Sequence, residues 1–228
     1  MEVLVVRKTI KNLHLSLLPP DGRIRVTSPV AMKDDAIRTL VATRLPWIRK
    51  HQQQFENQER QGKREYVSGE SHFLFGNRYL LEVVHVDAAP VVTVKGKKKI
   101  VLQVRPKASE EKKSEVMHEW YRLQLEEVLT EYVKKWEKKI GVKTASWSIR
   151  RMRTKWGTCN HRTGHVWFNL ELAKKPLSTI EYVVVHELLH LIEKTHSDHF
   201  IKLLDRHMPK WRSEKNLLNR FILSHESW

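Results

Sequence analysis

The sequence predicts an α+β protein in which a β-rich N-terminal region with one helix precedes a second region dominated by helices. Two observations support this class. Short segments that alternate apolar and polar residues occupy much of the first hundred positions, which is typical of half-buried strands. From about residue 109 an apolar stripe recurs at helical spacing for some thirty residues, which indicates a long helix.

In the N-terminal region we predict strands at 3–7, 13–17 and 23–27, followed by a helix at about 31–60 that Pro46 breaks or kinks. Residues 66–104 return to strand character, with a hairpin turn at 95–97. The composition changes near residue 106, so we expect an N-terminal region at 1–105 and a second domain at 106–228.

The second domain is predicted to begin with a helix from Ser109 to about residue 140, which Gly141 ends. A strand at 164–171 follows, rich in aromatic and β-branched residues. An apolar helix at about 178–193 comes next, with Ser178 at its start and Glu181 three residues on, the pattern of a capping box. A further helix begins near Thr195.

Composition restricts the partners and the compartment. Lys and Arg number 42 against 26 Asp and Glu, a net charge of +16, which favours either nucleic acid or nucleotide partners or simply a solvated basic surface. The single cysteine, Cys159, excludes an internal disulfide and suits a reducing compartment. No apolar stretch approaches the roughly 18 residues of a membrane span. We therefore expect a cytoplasmic protein with no membrane partner.

Residues 186–190, HELLH, fit the pattern H-E-x-x-H. Residues four apart share one face of a helix, so His186 and His190 can bind one ion. Imidazole is a common ligand of Zn2+, and a catalytic zinc site keeps a position for water. Glu187 would take a proton from that metal-bound water as general base. The motif predicts a hydrolase with one zinc ion, or another divalent metal that accepts these ligands.

A third protein ligand is needed, and we favour His196. It lies ten residues after His186, so on one continuous helix about 15 Å would separate the two along the axis. The helix must therefore end first, and a cap near Thr195 would open a second helix and bring His196 back to the ion. The alternatives are His199, one turn into that second helix, and the distant Glu214.

The sequence resembles the YgjP-like zinc metallopeptidases, which are related to the WLM and SprT-like proteases. The resemblance rests on His186, Glu187, His190, His196 and Phe200, and on several segments along nearly the whole chain. These segments are Pro46-Trp47-Ile48, Tyr66-Val67-Ser68-Gly69-Glu70, Gly76 with Tyr79, Lys155-Trp156-Gly157-Thr158-Cys159, and Val166-Trp167-Phe168-Asn169. In the fourth segment Thr158 stands where the family motif has Ser.

The resemblance implies a zincin-like protease core, a minimal gluzincin, behind the β-rich N-terminal region. It also implies that His186, His190 and His196 bind zinc, that Glu187 is the catalytic carboxylate, and that the substrate is a peptide or protein. In such a site the strand at 164–171 would lie beside the metal and pair with an extended peptide.

The substrate and the oxyanion stabiliser stay open at this point. Asn169 could orient the substrate or only bond the end of its sheet, and His199, Tyr182 and the arginines near Arg150 are alternatives for the oxyanion. Arg150 and Arg151 belong to a basic stretch that, beside the cleft, would select an anionic substrate. That favours a second hypothesis, a metal-dependent phosphohydrolase acting on nucleotides, of the nucleoside triphosphate pyrophosphatase type. The basic charge is equally compatible with a nucleic-acid-associated protease. A structural zinc clip in a nucleic-acid-binding module is the third, but such a site needs no Glu187.

Overall fold

The computed structural model describes residues 2–18, 22–56 and 64–220. The chain divides into two compact units between residues 63 and 64. Each unit combines helices with strands, and most strands precede residue 105. The predicted mixed α+β class with a β-rich N-terminal region is therefore confirmed.

The first unit has a three-stranded sheet and two helices. Its strands are β1 (Val3–Lys8), β2 (His14–Leu18) and β3 (Arg23–Pro29). The central strand, β3, runs parallel to β1 and antiparallel to β2. Alternate residues of β3, among them Ile24 and Val26, are buried against apolar residues of the helices.

The helices of the first unit are α1 (Asp34–Thr43) and α2 (Leu45–Glu56). One helix was predicted here with a break at Pro46, and the break is confirmed. Arg44 ends α1, and Pro46 lies in the first turn of α2, where proline's missing N–H has no helical acceptor to lose. The last residues of the predicted helix, 57–60, lie outside the described residues.

The second unit begins with a four-stranded sheet of order β4-β5-β7-β6. Its strands are β4 (Ser71–Leu74), β5 (Asn77–His85), β6 (Val91–Lys95) and β7 (Lys99–Val104). The predicted hairpin turn is confirmed, because β6 and β7 pair antiparallel around Gly96, whose φ of +59° is one that glycine adopts readily.

A 31-residue helix, α3 (Glu110–Ile140), runs through the second unit. The Oγ of Ser109 accepts a hydrogen bond from the N–H of Lys112 at 3.2 Å, which caps the start. Gly141 ends the helix in the left-handed conformation at φ +80°. Both predicted ends are confirmed, since each depends on a local side-chain or backbone preference.

The remaining elements hold the residues of the H-E-x-x-H pattern and its surroundings. They are β8 (Ser146–Arg150), β9 (Gly157–Asn160), β10 (His165–Asn169), a 3-10 helix (Leu170–Lys174), α4 (Leu177–Leu189), α5 (Asp198–His207) and α6 (Trp211–Arg220). The strands form a sheet of order β8-β10-β9, with β10 parallel to β8 and antiparallel to β9.

The division of the chain differs from the boundary expected near residue 106. Apolar residues of the four-stranded sheet, such as Leu81, Ile100 and Leu102, share one core with α3 and α4. The N–H of Phe75 donates to the carbonyl of Ala173 at 2.8 Å, which ties this sheet to the 3-10 helix. The change in composition near 106 therefore marks the start of α3, and residues 64–105 belong to the second unit.

Helix α4 is almost wholly buried, because α3, the sheet beside it and α6 surround it. Its residues Val184, Val185 and Leu188 are fully inaccessible to solvent. The carboxylate of Glu181 accepts hydrogen bonds from Lys135 Nζ at 2.6 Å and Trp136 Nε1 at 2.9 Å, which fixes α4 against α3. No described helix has both the length and the apolar character needed to cross a bilayer.

Candidate metal centre

Helix α4 carries the first two histidines. It begins at Leu177 with Pro176 at the N-cap, so the capping box expected from Ser178 is absent. Thr179 Oγ1 instead donates to the Pro176 carbonyl at 2.7 Å. One turn separates His186 from His190, which ends the helix, and their ring centroids lie 4.9 Å apart. The helical spacing predicted from the motif therefore brings both rings to one face.

A tight turn after α4 brings the third histidine back. The N–H of Thr195 and its Oγ1 both donate to a carboxylate oxygen of Glu193, at 3.1 and 3.0 Å. Ser197, not Thr195, caps α5, because its Oγ accepts from the N–H of Phe200 at 3.3 Å. His196 lies between these two interactions, and its Nε2 is 2.9 Å from Nε2 of His186.

The three histidines form a compact cluster. One ring nitrogen from each of His186, His190 and His196 lies within 4.8 Å of the others. The ring of Phe200, from α5, contacts all three imidazoles at centroid distances of 4.7 to 5.0 Å. Phe200 itself is fully buried, so it supports the cluster from the core side. Among the described residues, this is the one group whose ligand atoms could hold a metal ion.

The charge states of the rings suit cation binding. Burial, with further contributions from His190 and His196, lowers the pKa of His186 to about 3, and burial also lowers the pKa of His190. Both rings are therefore neutral near pH 7. The Nδ1 of His190 lies 2.9 Å from the Glu193 carbonyl oxygen. A carbonyl only accepts, so Nδ1 carries the proton and Nε2 keeps its lone pair for a ligand.

Glu187 lies beside the cluster and is only 6% exposed. Burial raises the pKa of its carboxyl to about 8, although Lys155 and the Cys159 backbone N–H act in the opposite direction. At that pKa most of the carboxyl is protonated at pH 7, and its ionised form is a stronger proton acceptor than an exposed carboxylate. Its position and chemistry therefore suit a general base.

The absence of a side chain at Gly157 makes room for Glu187. A Cβ built on Gly157 would lie 2.6 Å from Cγ and 2.7 Å from Oε1 of Glu187. These distances are well below van der Waals contact, so any larger residue at 157 would displace the carboxylate. Gly157 belongs to the W-G-T-C segment of the sequence, and this close approach explains why glycine occupies the position.

We expect Gly157→Ala to lower the kcat of a hydrolysis in which Glu187 is the base by about 10²-fold, because a displacement of the order of 1 Å can cost that much. Metal content should not change, since none of the three histidines is affected. The measurement is kcat together with metal content per chain. If the effect acts through the carboxylate, adding Gly157→Ala to a Glu187→Gln chain should cause no further loss. A further tenfold loss in that chain would contradict this explanation.

The cluster opens into a cavity of about 440 Å³. Its wall is formed by β9 and the residues just before it, by α4 and the turn after α4, and by α6. Tyr182 also lines this cavity, one turn before His186 and with ring centroids 5.8 Å apart. Burial and the nearby Glu187 raise the pKa of Tyr182 to about 12, so its hydroxyl stays protonated.

A family model described as YgjP-like, metallopeptidase domain matches residues 12–221, nearly the whole chain. The chain belongs to the YgjP-like metallopeptidase family. Its YgjP-like domain is also similar in part to two crystal structures, the metallopeptidase zymogens of Pyrococcus abyssi abylysin and Methanocaldococcus jannaschii jannalysin. Each is 16% identical to this chain and aligns with 40% of it. The alignment covers 90% of the abylysin chain at a TM-score of 0.37 and 92% of the jannalysin chain at a TM-score of 0.36. A comparison with curated proteins gives no match.

The strand expected to pair with a peptide is not free to do so in the YgjP-like domain, and that prediction was wrong. Strand β10 lies between β8 and β9, and its backbone pairs with both. The order of strands depends on long-range pairing, which the sequence pattern does not reveal. Among the described strands β8 and β9 lie at the two edges of this sheet, and of these β9 contacts α4 and lines the cavity.

The side chain of Asn169 forms hydrogen bonds to backbone groups of the surrounding fold. Its Nδ2 donates to the carbonyls of Met152 and Lys155 at 2.8 and 2.7 Å. Its Oδ1 accepts from the N–H of Glu171 at 3.2 Å, which caps the 3-10 helix. The side chain is fully buried and does not line the cavity. Asn169 thus holds the loop before β9, the structural alternative considered for it.

The other residues considered for substrate or metal binding lie away from the cavity wall. Arg150 is exposed, and its guanidinium carbon lies 4.7 Å from the ring centroid of Trp167. Neither Arg151 nor His199 lines the cavity, and Glu214 is not part of the metal-ligand cluster. Of the residues considered for the oxyanion, Tyr182 is the one that reaches the cavity.

Three lysines lie in the wall of this cavity, Lys155, Lys194 and Lys215. Lys155 belongs to the basic stretch that the sequence indicated, whereas sequence reasoning did not place Lys194 or Lys215 at the site. Lys194 lies in the predicted turn before His196, and that adjacency was a usable signal. Lys215 lies on α6, more than fifteen residues beyond His196, and only the tertiary fold brings it to the cavity.

Proposed function

We propose that this chain is a zinc-dependent peptidase in which His186, His190 and His196 hold one Zn2+ and Glu187 is the general base. The observation that carries the proposal is the convergence of three imidazole nitrogens within 4.8 Å beside a buried carboxylate. Membership of a metallopeptidase family supports the same reaction class.

The three imidazoles fit a zinc ion. Zinc accepts histidine nitrogens, and three protein ligands leave a fourth position open for catalysis. The neutral His186 and His190, and the free lone pair on Nε2 of His190, meet the requirement that ligands be deprotonated. When bound, the ion would polarise the scissile carbonyl and lower the pKa of a water molecule. Imidazole also binds other divalent metals, so cellular supply contributes to the choice of ion.

Glu187 would accept and then donate the proton that is transferred in the reaction. Its carboxylate would accept a proton from the attacking water and donate it to the leaving amide nitrogen, so that the same oxygen serves as base and then as acid. The raised pKa suits both steps, because the carboxyl then holds the proton long enough to pass it on. The Tyr182 hydroxyl, protonated and in the cavity wall, would donate a hydrogen bond to the developing oxyanion.

Strand β9 would orient the substrate. An extended peptide can add to a sheet edge through main-chain hydrogen bonds, and β9 is an edge among the described strands. Gly157 and Thr158 of this strand line the cavity beside Glu187. A peptide lying along β9 would therefore carry its backbone past the general base.

Metal removal tests the proposal. We expect a chelator to abolish cleavage of an unfolded protein and one equivalent of Zn2+ per chain to restore it, because no other described cluster could hold the ion. Cleavage and metal content are measured on the same samples. Full activity in metal-free protein would overturn the proposal. A nucleotide panel run in parallel tests the phosphohydrolase alternative.

A further inference from the structure

Three lysines surround the cavity that contains the histidine cluster. Lys155 precedes β9 by two residues, on the side of the carboxylate of Glu187. Lys194 lies in the turn that joins His190 to His196. Lys215 lies on α6, and its Nζ is 5.6 Å from the ring centroid of Trp211. The positive charges therefore come from three separate elements of the fold.

These lysines differ from many others on the same surface. Elsewhere, Lys99, Lys135 and Lys143 each form an ion pair with a glutamate at 3.0 Å or less. In the part of the chain that the structure describes, no carboxylate pairs with any of the three cavity lysines. All three are exposed at the mouth of the cavity.

Among the described residues that line the cavity, Glu187 is the one carboxylate, and its side chain is buried. Three ammonium groups outnumber this one buried carboxylate, which only Lys155 is shown to affect. The excess gives the opening a positive potential, which a concave surface of low dielectric constant concentrates. A zinc ion in the site would add to this potential. The wall is therefore complementary to negative charge and repels cationic side chains.

We propose that the site selects peptides with aspartate or glutamate close to the scissile bond, a specificity that rests on the proposed peptidase function. A peptide extended along β9 presents successive side chains in different directions, so separate carboxylates could meet lysines on separate elements. The described residues of the wall include no arginine and no glycine-rich loop at a helix start, the features that commonly bind polyphosphates. Acidic peptide therefore fits better than nucleotide or nucleic acid.

The test compares matched peptides that differ only in charge. Pairs of fluorogenic peptides carry Asp or Asn, and Glu or Gln, at each position on either side of the cleaved bond. For the zinc-loaded full chain, we expect kcat/KM to favour the acidic member, by about two- to fivefold for each exposed ion pair made. The preference should fall as ionic strength rises.

The variant that tests the lysines replaces Lys155, Lys194 and Lys215 with methionine, which keeps most of the side-chain length without the charge. We expect it to lose most of the acidic preference, measured as the ratio of kcat/KM between the two members of each pair. Any change that the variant causes in Glu187 affects both members of a pair and cancels in this ratio. The matching Lys→Arg variant should retain the preference. Zinc content and circular dichroism establish that each variant is folded.

A control variant removes three positive charges elsewhere. Lys97, Lys98 and Lys134 are exposed and do not line the cavity. Replacing all three with methionine changes the net charge by the same amount, so any effect of overall charge appears in both variants. An equal loss of preference in the control would overturn the proposal.

The outcomes separate this proposal from the function it rests on. Equal kcat/KM for acidic and neutral peptides overturns the specificity and leaves the peptidase intact. If no peptide is cleaved, the peptidase proposal fails, and binding of the labelled Asp and Asn peptides to a zinc-loaded Glu187→Gln chain still decides the specificity. If the three lysines affect binding of tripolyphosphate or a single-stranded oligonucleotide but not of the Asp peptide, the proposal is overturned.

Discussion

Replacing Glu187 with glutamine is expected to reduce peptide cleavage by about 10²- to 10⁴-fold, the usual contribution of a general acid–base group. Glutamine has nearly the same shape, so it should occupy the space that Gly157 leaves open. It cannot accept a proton from water, so the loss should appear in kcat. Because the three histidines are unchanged, the variant should keep one zinc ion per chain.

A control for this variant is Glu127→Gln, an exposed position on α3 that does not line the cavity. The control should match the native chain in both kcat and zinc content. Unchanged proteolysis by Glu187→Gln would exclude Glu187 as the base. Loss of zinc would instead mean that Glu187 contributes to metal binding, and the assignment of three histidines as the complete ligand set would fail.

The parts of the fold that local preferences determine could be predicted from the sequence. The ends of α3 follow from an N-cap at Ser109 and a left-handed glycine at 141, and both act within a few residues. The break between α1 and α2 follows from Pro46, and the hairpin from the turn at Gly96. None of these features requires knowledge of a distant part of the chain.

Features that depend on tertiary contacts could not be read in the same way. A change in composition near residue 106 was taken as a domain boundary, yet the strands before it share a core with α3 and α4. The strand at 165–169 has the same sequence pattern whether it lies at the edge or in the centre of a sheet. Its central position follows from pairing with β8 and β9, and the pattern of one strand contains no information about its neighbours.

The histidine cluster was predictable because two of its members lie one helical turn apart and the third follows a break in the helix. The prediction that His186 and His190 share one face of the helix required only the helical period. The position of His196 beside them requires a turn, which the side chains of Glu193 and Ser197 stabilise. The arginines at 150 and 151 are close to the W-G-T-C segment in sequence, but neither lines the cavity. Proximity along the chain was a poor guide for Arg150 because it ends β8, and β10 lies between β8 and the strand that lines the cavity, β9.

Replacing His196 with alanine is expected to remove most zinc binding, whereas His199→Ala should leave it unchanged. Nε2 of His196 lies 2.9 Å from that of His186, but His199 is exposed on α5 and is not part of the cluster. Zinc at about a thousand times its Kd stabilises a folded protein by about 4 kcal/mol. The native chain and His199→Ala should therefore show a zinc-dependent rise in Tm, and His196→Ala should show little.

Two measurements on these variants distinguish a ligand from a residue that only shapes the turn. If His196 only shaped the turn, His196→Gln would bind zinc no better than His196→Ala does. The Tm of the metal-free protein would then be lower than the native value in both variants. A ligand role predicts instead that the metal-free Tm changes little, because His196 is exposed, and that the difference appears only with zinc. Full zinc retention by His196→Ala would exclude it as the third ligand. The remaining donors would then have to come from outside the cluster, with His199 and Glu214 as the next residues to replace.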